Sequence, residues 1–153
     1  MLEPSLLLET EQFLHEQIPI TRAMGVRVES FDAQRLVLAA PLEANHNHLG
    51  TAFGGSLSAI ATLAGYALLW LELGDRSAHI VVRESSIQYN HPVTGDIRAV
   101  CARLNPDVLA DFKRRFEKVG KARLSLKVAI EHGERECVTF TGTYVALASS
   151  AIV

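Results

Sequence analysis

The sequence predicts an α+β fold, one antiparallel sheet curled around a single long helix. Three observations carry this. Residues Gly54 to Leu73 form an uninterrupted stretch that is apolar on nearly every face, with Leu57, Ile60, Leu63, Ala64, Leu68, Leu69 and Trp70. A helix apolar all round must be enclosed, not laid on a surface. Six segments with strand character surround it in sequence, and no linker, repeat or low-complexity stretch divides the 153 residues. That length suits one domain, residues 1–153.

Along the chain, Pro4 to Gln17 places Leu6, Leu7, Phe13 and Leu14 among glutamates, the pattern of an amphipathic surface helix stopped by Pro19. Thr21 to Gly25 reads as one helical turn. Val26 to Ser30 and Arg35 to Ala40 read as short strands, the second ended by Pro41. A polar loop, Glu43 to Gly50, leads to Gly54-Gly55-Ser56 and the long helix, which Gly74 caps. His79 to Tyr89 is a long strand. Ile97 to Leu104 is expected to pair back on it as a hairpin, across a turn at Pro92 and Thr94-Gly95-Asp96. Val108, Leu109, Phe112 and Phe116 recur at helical spacing, so Pro106 to Lys118 is a helical insertion between late strands, capped by Gly120. Lys121 to Glu131 alternates cleanly, His132-Gly133-Glu134 is a turn, and Arg135 to Ala148 is the last strand. The expected layout is two strands, the central helix and a four-stranded meander. A single such layer leaves a sheet edge or face uncovered, which favours a dimer.

The hydrophobic fraction of 48% is that of a globular protein with a true core, and the net charge of −2 argues against a nucleic-acid partner. The two cysteines, Cys101 and Cys137, lie in apolar strand-like stretches and read as buried thiols of a cytoplasmic protein. The first residues, Met1-Leu2-Glu3-Pro4, lack the basic start of a signal peptide. The apolar run Leu57 to Leu71 is shorter than the roughly 20 residues a membrane span needs, so no membrane association is expected.

Chemistry concentrates in Asn47-His48-Leu49-Gly50-Thr51-Ala52-Phe53-Gly54-Gly55-Ser56-Leu57, a loop running into a helix N-terminus. The first N–H groups of a helix lack internal partners and carry partial positive charge. Glycines at 54 and 55 remove side chains that would obstruct a ligand. Such an end can hold an anion or polarise a carbonyl oxygen. The structural alternative is that the glycines pack the helix on the sheet and Asn47 caps a turn.

That segment, the strand Val82-Arg83-Glu84-Ser85-Ser86-Ile87-Gln88-Tyr89, the turn Pro92-Val93-Thr94-Gly95-Asp96 and Gly120-Lys121-Ala122-Arg123-Leu124 together resemble the YiiD C-terminal-type thioesterases of the hotdog superfamily. The resemblance spans nearly the whole chain. It implies a hotdog fold, a homodimer or dimer of dimers with active sites at the subunit interface, and acyl-CoA or acyl-carrier-protein thioesters as substrates. It implies no cofactor beyond the CoA of the substrate. Asn47, Gly54 and Gly55 match the wider hotdog thioesterases. Phe53 stands where those carry histidine, and Thr62 where many carry the acidic base or nucleophile. The helix has no carboxylate before Glu72.

The expected catalytic set is therefore Asn47 to orient water or thioester, Gly55 for the oxyanion, Thr62 and Ser86 as polar supports, and Glu84 as replacement base. Strand alternation puts Glu84 and Ser86 on one face and Arg83 and Ser85 on the other. A carboxylate near the reacting carbonyl could activate water. The expected substrate contacts are His48, Phe53, Gly54, Arg83 and Arg114. The basic cluster Lys113-Arg114-Arg115 with Lys118, Lys121 and Arg123 could meet the CoA phosphates or be a solvated face. His46 and His48 lack a third metal ligand at useful spacing, so no metal is expected. The rival readings are a dehydratase or hydratase using His48, a module that binds acyl-CoA without turnover, and a purely structural partner.

Overall fold

The computed structural model describes residues 4–151. In chain order the elements are α1 (Pro4–Gln17), α2 (Ile20–Ala23), β1 (Arg27–Phe31), β2 (Arg35–Ala40), α3 (Gly54–Leu73), β3 (His79–Tyr89), β4 (Ile97–Ala102), α4 (Pro106–Val119), β5 (Lys121–His132) and β6 (Arg135–Leu147). A short 3₁₀ turn, Ser149–Ala151, follows. The six strands form one antiparallel sheet of order β1-β2-β4-β5-β6-β3. It wraps α3, which contacts every strand from β2 to β6. This is the hotdog arrangement.

The enclosure follows from α3's composition. Ile60, Ala61, Ala64, Ala67, Leu68 and Leu69 are wholly buried, and Gly74 ends the helix at φ +70° with its N–H donated to the Trp70 carbonyl. The helix is long and apolar enough to cross a membrane by length and composition, but here the sheet takes up its apolar surface. At its C-terminal end Trp70 is stacked on Phe13, with the Arg76 guanidinium on its ring. Glu72 is buried there and ion-paired with Arg103. Gly65 lies under the Tyr144 ring, whose hydroxyl donates to the Thr62 carbonyl at 2.7 Å. Cys101 and Cys137 are buried, and burial pushes the Cys101 thiol up to about 12.

One expectation is corrected. β4 does not pair with β3 as a hairpin. It lies between β2 and β5, while β3 crosses to the far edge and pairs with β6 from His79–Leu147 to Tyr89–Val138. The meander is thus β4-β5-β6. The long helix between β2 and β3 carries the chain across the sheet, so the loop 90–96 after β3 recrosses it and is no hairpin turn.

The two sheet edges differ. At β1, α1 supplies side chains to backbone groups that no strand meets. Glu11 accepts from the Val28 N–H at 3.0 Å and His15 donates to the Val26 carbonyl at 2.7 Å. At β3 no element covers the outer edge among the described residues, and Val81, Val82 and Tyr89 are exposed. An uncovered strand of eleven residues is a template for pairing with another strand.

Gly65→Ala tests the packing of α3 on β6. A Cβ at 65 would lie 2.3 Å from the Tyr144 hydroxyl oxygen. The substitution is expected to cost about 1–3 kcal/mol and lower Tm by several degrees in a thermal melt.

Candidate active site

The loop before α3 is a tight hairpin. The Phe53 N–H donates to the Asn45 carbonyl at 2.7 Å, His46 and Ala52 form an isolated bridge, and the Asn47 N–H donates to the Thr51 carbonyl at 2.7 Å. Its base is pinned by Asn45, buried, whose amide donates to the carbonyls of Met24 and Pro41, both at 2.8 Å. The Ala52 N–H donates to the Val93 carbonyl, tying the hairpin to the loop after β3. The start of α3 is therefore held from three directions.

That start is uncapped. Phe53 occupies the cap position in extended conformation without a side-chain hydrogen bond, and its carbonyl accepts from the Leu57 N–H. The N–H groups of Gly54, Gly55 and Ser56 enter no hydrogen bond within the described residues. The Phe53 ring, 55% exposed, leans over Gly55: a Cβ there would lie 2.4 Å from the ring edge. From the other side the Tyr89 hydroxyl donates to the Gly54 carbonyl at 3.3 Å. Free N–H groups with an aromatic on each side make a polarising end for a ligand.

Beyond this end, α3 keeps a stripe of the exposed Gly55 and the half-buried Ser58, Ala59, Thr62 and Tyr66, while most of its remaining residues are buried. Tyr144, Gly142 and Phe140 mark the helix side of β6, and Ser85 pairs with Gly142 and Ile87 with Phe140. Ser85, Ile87 and Tyr89 thus lie on the helix side of the edge strand, with Ser85 and Tyr89 exposed. Among the described residues no group of three or more His, Cys, Asp or Glu side chains converges as for a metal ion.

With this geometry in view, known proteins can be compared. The family described as "Putative thioesterase (yiiD_Cterm)" matches residues 7–148. The chain belongs to this YiiD C-terminal family. Similar solved structures include a protein of unknown function from Chlorobaculum tepidum, 37% identical over 94% of each chain with a TM-score of 0.87. A protein from Shewanella oneidensis described as a "putative thioesterase" is 30% identical over 95% of this chain and 99% of its own, TM-score 0.81. A third, a protein of unknown function from Pseudomonas aeruginosa described as a "probable thioesterase", is 24% identical over 96% of this chain and 97% of its own, TM-score 0.81, and shares the fold. The family and fold place this chain among thioesterases in general.

In this YiiD C-terminal chain the expected site residues divide. Gly54, Gly55 and Phe53 sit together at the helix start. Asn47 lies in the same hairpin, but its side chain is engaged there: the oxygen accepts from the N–H groups of Leu49 at 2.8 Å and Thr51 at 3.2 Å, and the amide donates to the Thr51 hydroxyl at 2.8 Å. His48 is exposed at the hairpin tip, three residues from the Asn45–Phe53 base and so about 10 Å along the strand direction. Thr62 is on the open stripe, with its hydroxyl donated back to the Ser58 carbonyl at 2.9 Å.

Glu84 and Ser86 share a face, opposite Thr143 and Thr141, and it is the face turned away from α3. Arg83 does not alternate as expected. Register runs from Val82–Tyr144 directly to Glu84–Thr143, so Arg83 is the extra residue of a β-bulge. Arg114 is exposed and paired with Asp111 at 2.6 Å. Sequence reasoning missed Tyr89, Ser85 and Asn45. The bulge hides the first two, because it exchanges the faces that simple alternation assigns. The Asn45-His46-Asn47 doublet was the available signal for the third.

Gly55→Ala isolates the helix start. The new methyl displaces only the outer end of the exposed Phe53 ring, and alanine suits a helix better than glycine. The expected result is a Tm within a few degrees of wild type. Thioester hydrolysis, followed by thiol release, should fall about a hundredfold through misplacement of the carbonyl.

Proposed function

We propose that the protein hydrolyses acyl thioesters of CoA or an acyl carrier protein, with the thioester carbonyl oxygen on the N–H groups of Gly54, Gly55 and Ser56. The supporting observation is the uncapped, glycine-opened N-terminus of a rigid, enclosed helix. Water adds to the carbonyl carbon and the negative charge forms on the oxygen beside those donors. Collapse breaks the carbon–sulfur bond, the thiolate leaves and takes up a proton, and the acyl group departs as a carboxylic acid. Charge-directed donors of this kind supply the largest share of many such accelerations.

Proton removal from water is the step that a single protomer leaves open. Glu72 is buried in its pair with Arg103 at the other end of α3. Glu84 faces away from α3, and His48 stands at the hairpin tip. The open β3 edge supplies the rest of the reading: a second copy pairs along it, giving a homodimer or dimer of dimers. Its His48 then completes the site. Thr62, Ser85 and Ser86 are polar groups along that edge and stripe. Phe53 and the exposed Tyr89 flank the acyl group. No metal or cofactor enters the scheme.

One specific observation favours a second reading. Because no carboxylate stands at the helix start among the described residues, binding of acyl-CoA without turnover uses the same cradle. Thiol release over a panel of acyl-CoA chain lengths separates the two. The hydrolase reading expects saturable thiol release that drops at least about tenfold in His48→Ala, and a sizing profile at twice the chain mass or more. Saturable binding of every acyl-CoA with no thiol release would overturn it. Hydration of an enoyl-CoA, lost in His48→Ala, would point instead to a hydratase.

A further inference from the structure

Past the first turn of α3, three hydroxyl groups along the site have no hydrogen bond among the described residues. They belong to Ser58 and Tyr66 on the open stripe of α3 and to Ser85 on the helix side of β3. Their neighbours are paired: Thr62 donates to the Ser58 carbonyl at 2.9 Å, Tyr144 to the Thr62 carbonyl at 2.7 Å and Tyr89 to the Gly54 carbonyl at 3.3 Å. Ser58 and Tyr66 are half-buried, and burial raises the Tyr66 phenol, which stays a protonated donor. A hydroxyl that has lost part of its water and gained no partner in the protein is one that a polar ligand can pair and an apolar ligand leaves unmatched.

The three stand in order from the helix start. α3 rises about 1.5 Å per residue, which puts Ser58 about 6 Å and Thr62 about 12 Å beyond Gly54. Ser58 is one turn on from Gly54 and so on the same side of the helix, the side that Tyr89 touches. β3 runs back beside α3 in the opposite direction, with its end, Tyr89, at Gly54. At about 3.3 Å per residue, Ile87 lies level with Ser58 and Ser85 level with Thr62. Helical side chains lean toward the N-terminus, so the Tyr66 ring covers the turn that carries Thr62 and closes the run. Between the polarised N–H groups and that ring lies room for a short chain, with Ile87 and Ala59 as apolar walls and the hydroxyls of Ser58, Ser85 and Tyr66 as polar ones.

We infer that the acyl group taken by this site is short and carries a hydroxyl on its third carbon, bound by Ser58. The inference rests on the thioester reading of the helix start and adds which acyl group sits there. An oxygen on the third carbon is three bonds from the carbonyl carbon, about 3.5 Å away. A hydrogen bond of about 2.8 Å brings the reach to about 6 Å, the separation of Gly54 and Ser58 along α3. The fourth carbon then meets Ile87, and Ser85 and Tyr66 keep the far end polar. A long saturated chain would instead lie against three hydroxyls that it cannot pair. A site that pairs a substrate hydroxyl discriminates against the analogue lacking it, because its own hydroxyl is then left without a partner.

Matched ligands that differ by one hydroxyl test this on the intact protein. Hydrolysis compares 3-hydroxybutanoyl-CoA with butanoyl-CoA. Calorimetry compares the thioethers S-(3-hydroxybutyl)-CoA and S-butyl-CoA, which cannot be hydrolysed. The hydroxylated member of each pair is expected to be favoured at least about tenfold, in kcat/KM and in Kd. Dodecanoyl-CoA should be hydrolysed at least about tenfold less efficiently than 3-hydroxybutanoyl-CoA. In Ser58→Ala both hydroxyl ratios should fall to within about twofold of one, with a Tm within a few degrees of wild type. In Lys127→Ala, on the outer sheet face, both ratios should match wild type. Butanoyl-CoA or dodecanoyl-CoA hydrolysed at no disadvantage would overturn the inference and leave the hydrolase reading in place. A preference that Ser58→Ala retains would also overturn it, as would a Ser58→Ala protein with unchanged ratios and an altered sizing profile, whose hydroxyl pairs with a second copy instead. Hydroxyl-dependent binding without thiol release from any thioester would sustain the inference and remove the hydrolase reading.

Discussion

Everything in this fold depends on α3 having almost no face that tolerates water. Wholly buried residues such as Ile60, Ala61, Ala67 and Leu69 point in several directions around the axis. One sheet face cannot cover them, so the sheet must curl. Curling brings β3 to the far edge from β1 and forces the chain to cross the sheet twice. The same enclosure fixes the helix rigidly and leaves its N-terminal N–H groups at a set position. A catalytic or binding end on a mobile helix would lose that preorganisation.

The contrast between the two edges extends this logic. Glu11 and His15 of α1 take up backbone groups at the β1 edge. The β3 edge has no such cover, and beside it run the exposed side of α3 and the exposed Ser85 and Tyr89. Polarising donors, an open stripe and an unpaired strand thus lie along one side of the molecule. The bulge at Arg83 belongs to the same edge. It takes the Arg83 cation out of the strand's alternation, so one strand bears both the aromatic at the helix start and an exposed cation.

Much of the fold was legible in the sequence because it is written in local signals. The bounds of α3 follow from Gly54-Gly55 and Gly74, and the end of α4 from Gly120 at φ +76°. Strand pairing was not legible in the same way. The β3 and β4 segments are adjacent in sequence with turn residues between them, yet the closure of the sheet separates them, and closure is a property of the whole chain. The site divides likewise. The helix start and its glycines were readable from spacing. The faces of Arg83, Glu84 and Ser85 were not, since one inserted bulge residue changes them.

The central claim is that the first N–H groups of α3 polarise a thioester carbonyl. It is tested most directly by infrared difference spectroscopy on the protein bound to a ketone analogue of acyl-CoA, with a methylene in place of sulfur and an isotope-labelled carbonyl. The account predicts a carbonyl stretch moved to lower frequency on binding, and a smaller displacement in Gly55→Ala. A stretch unchanged from that of the free analogue, with the ligand bound, would contradict it.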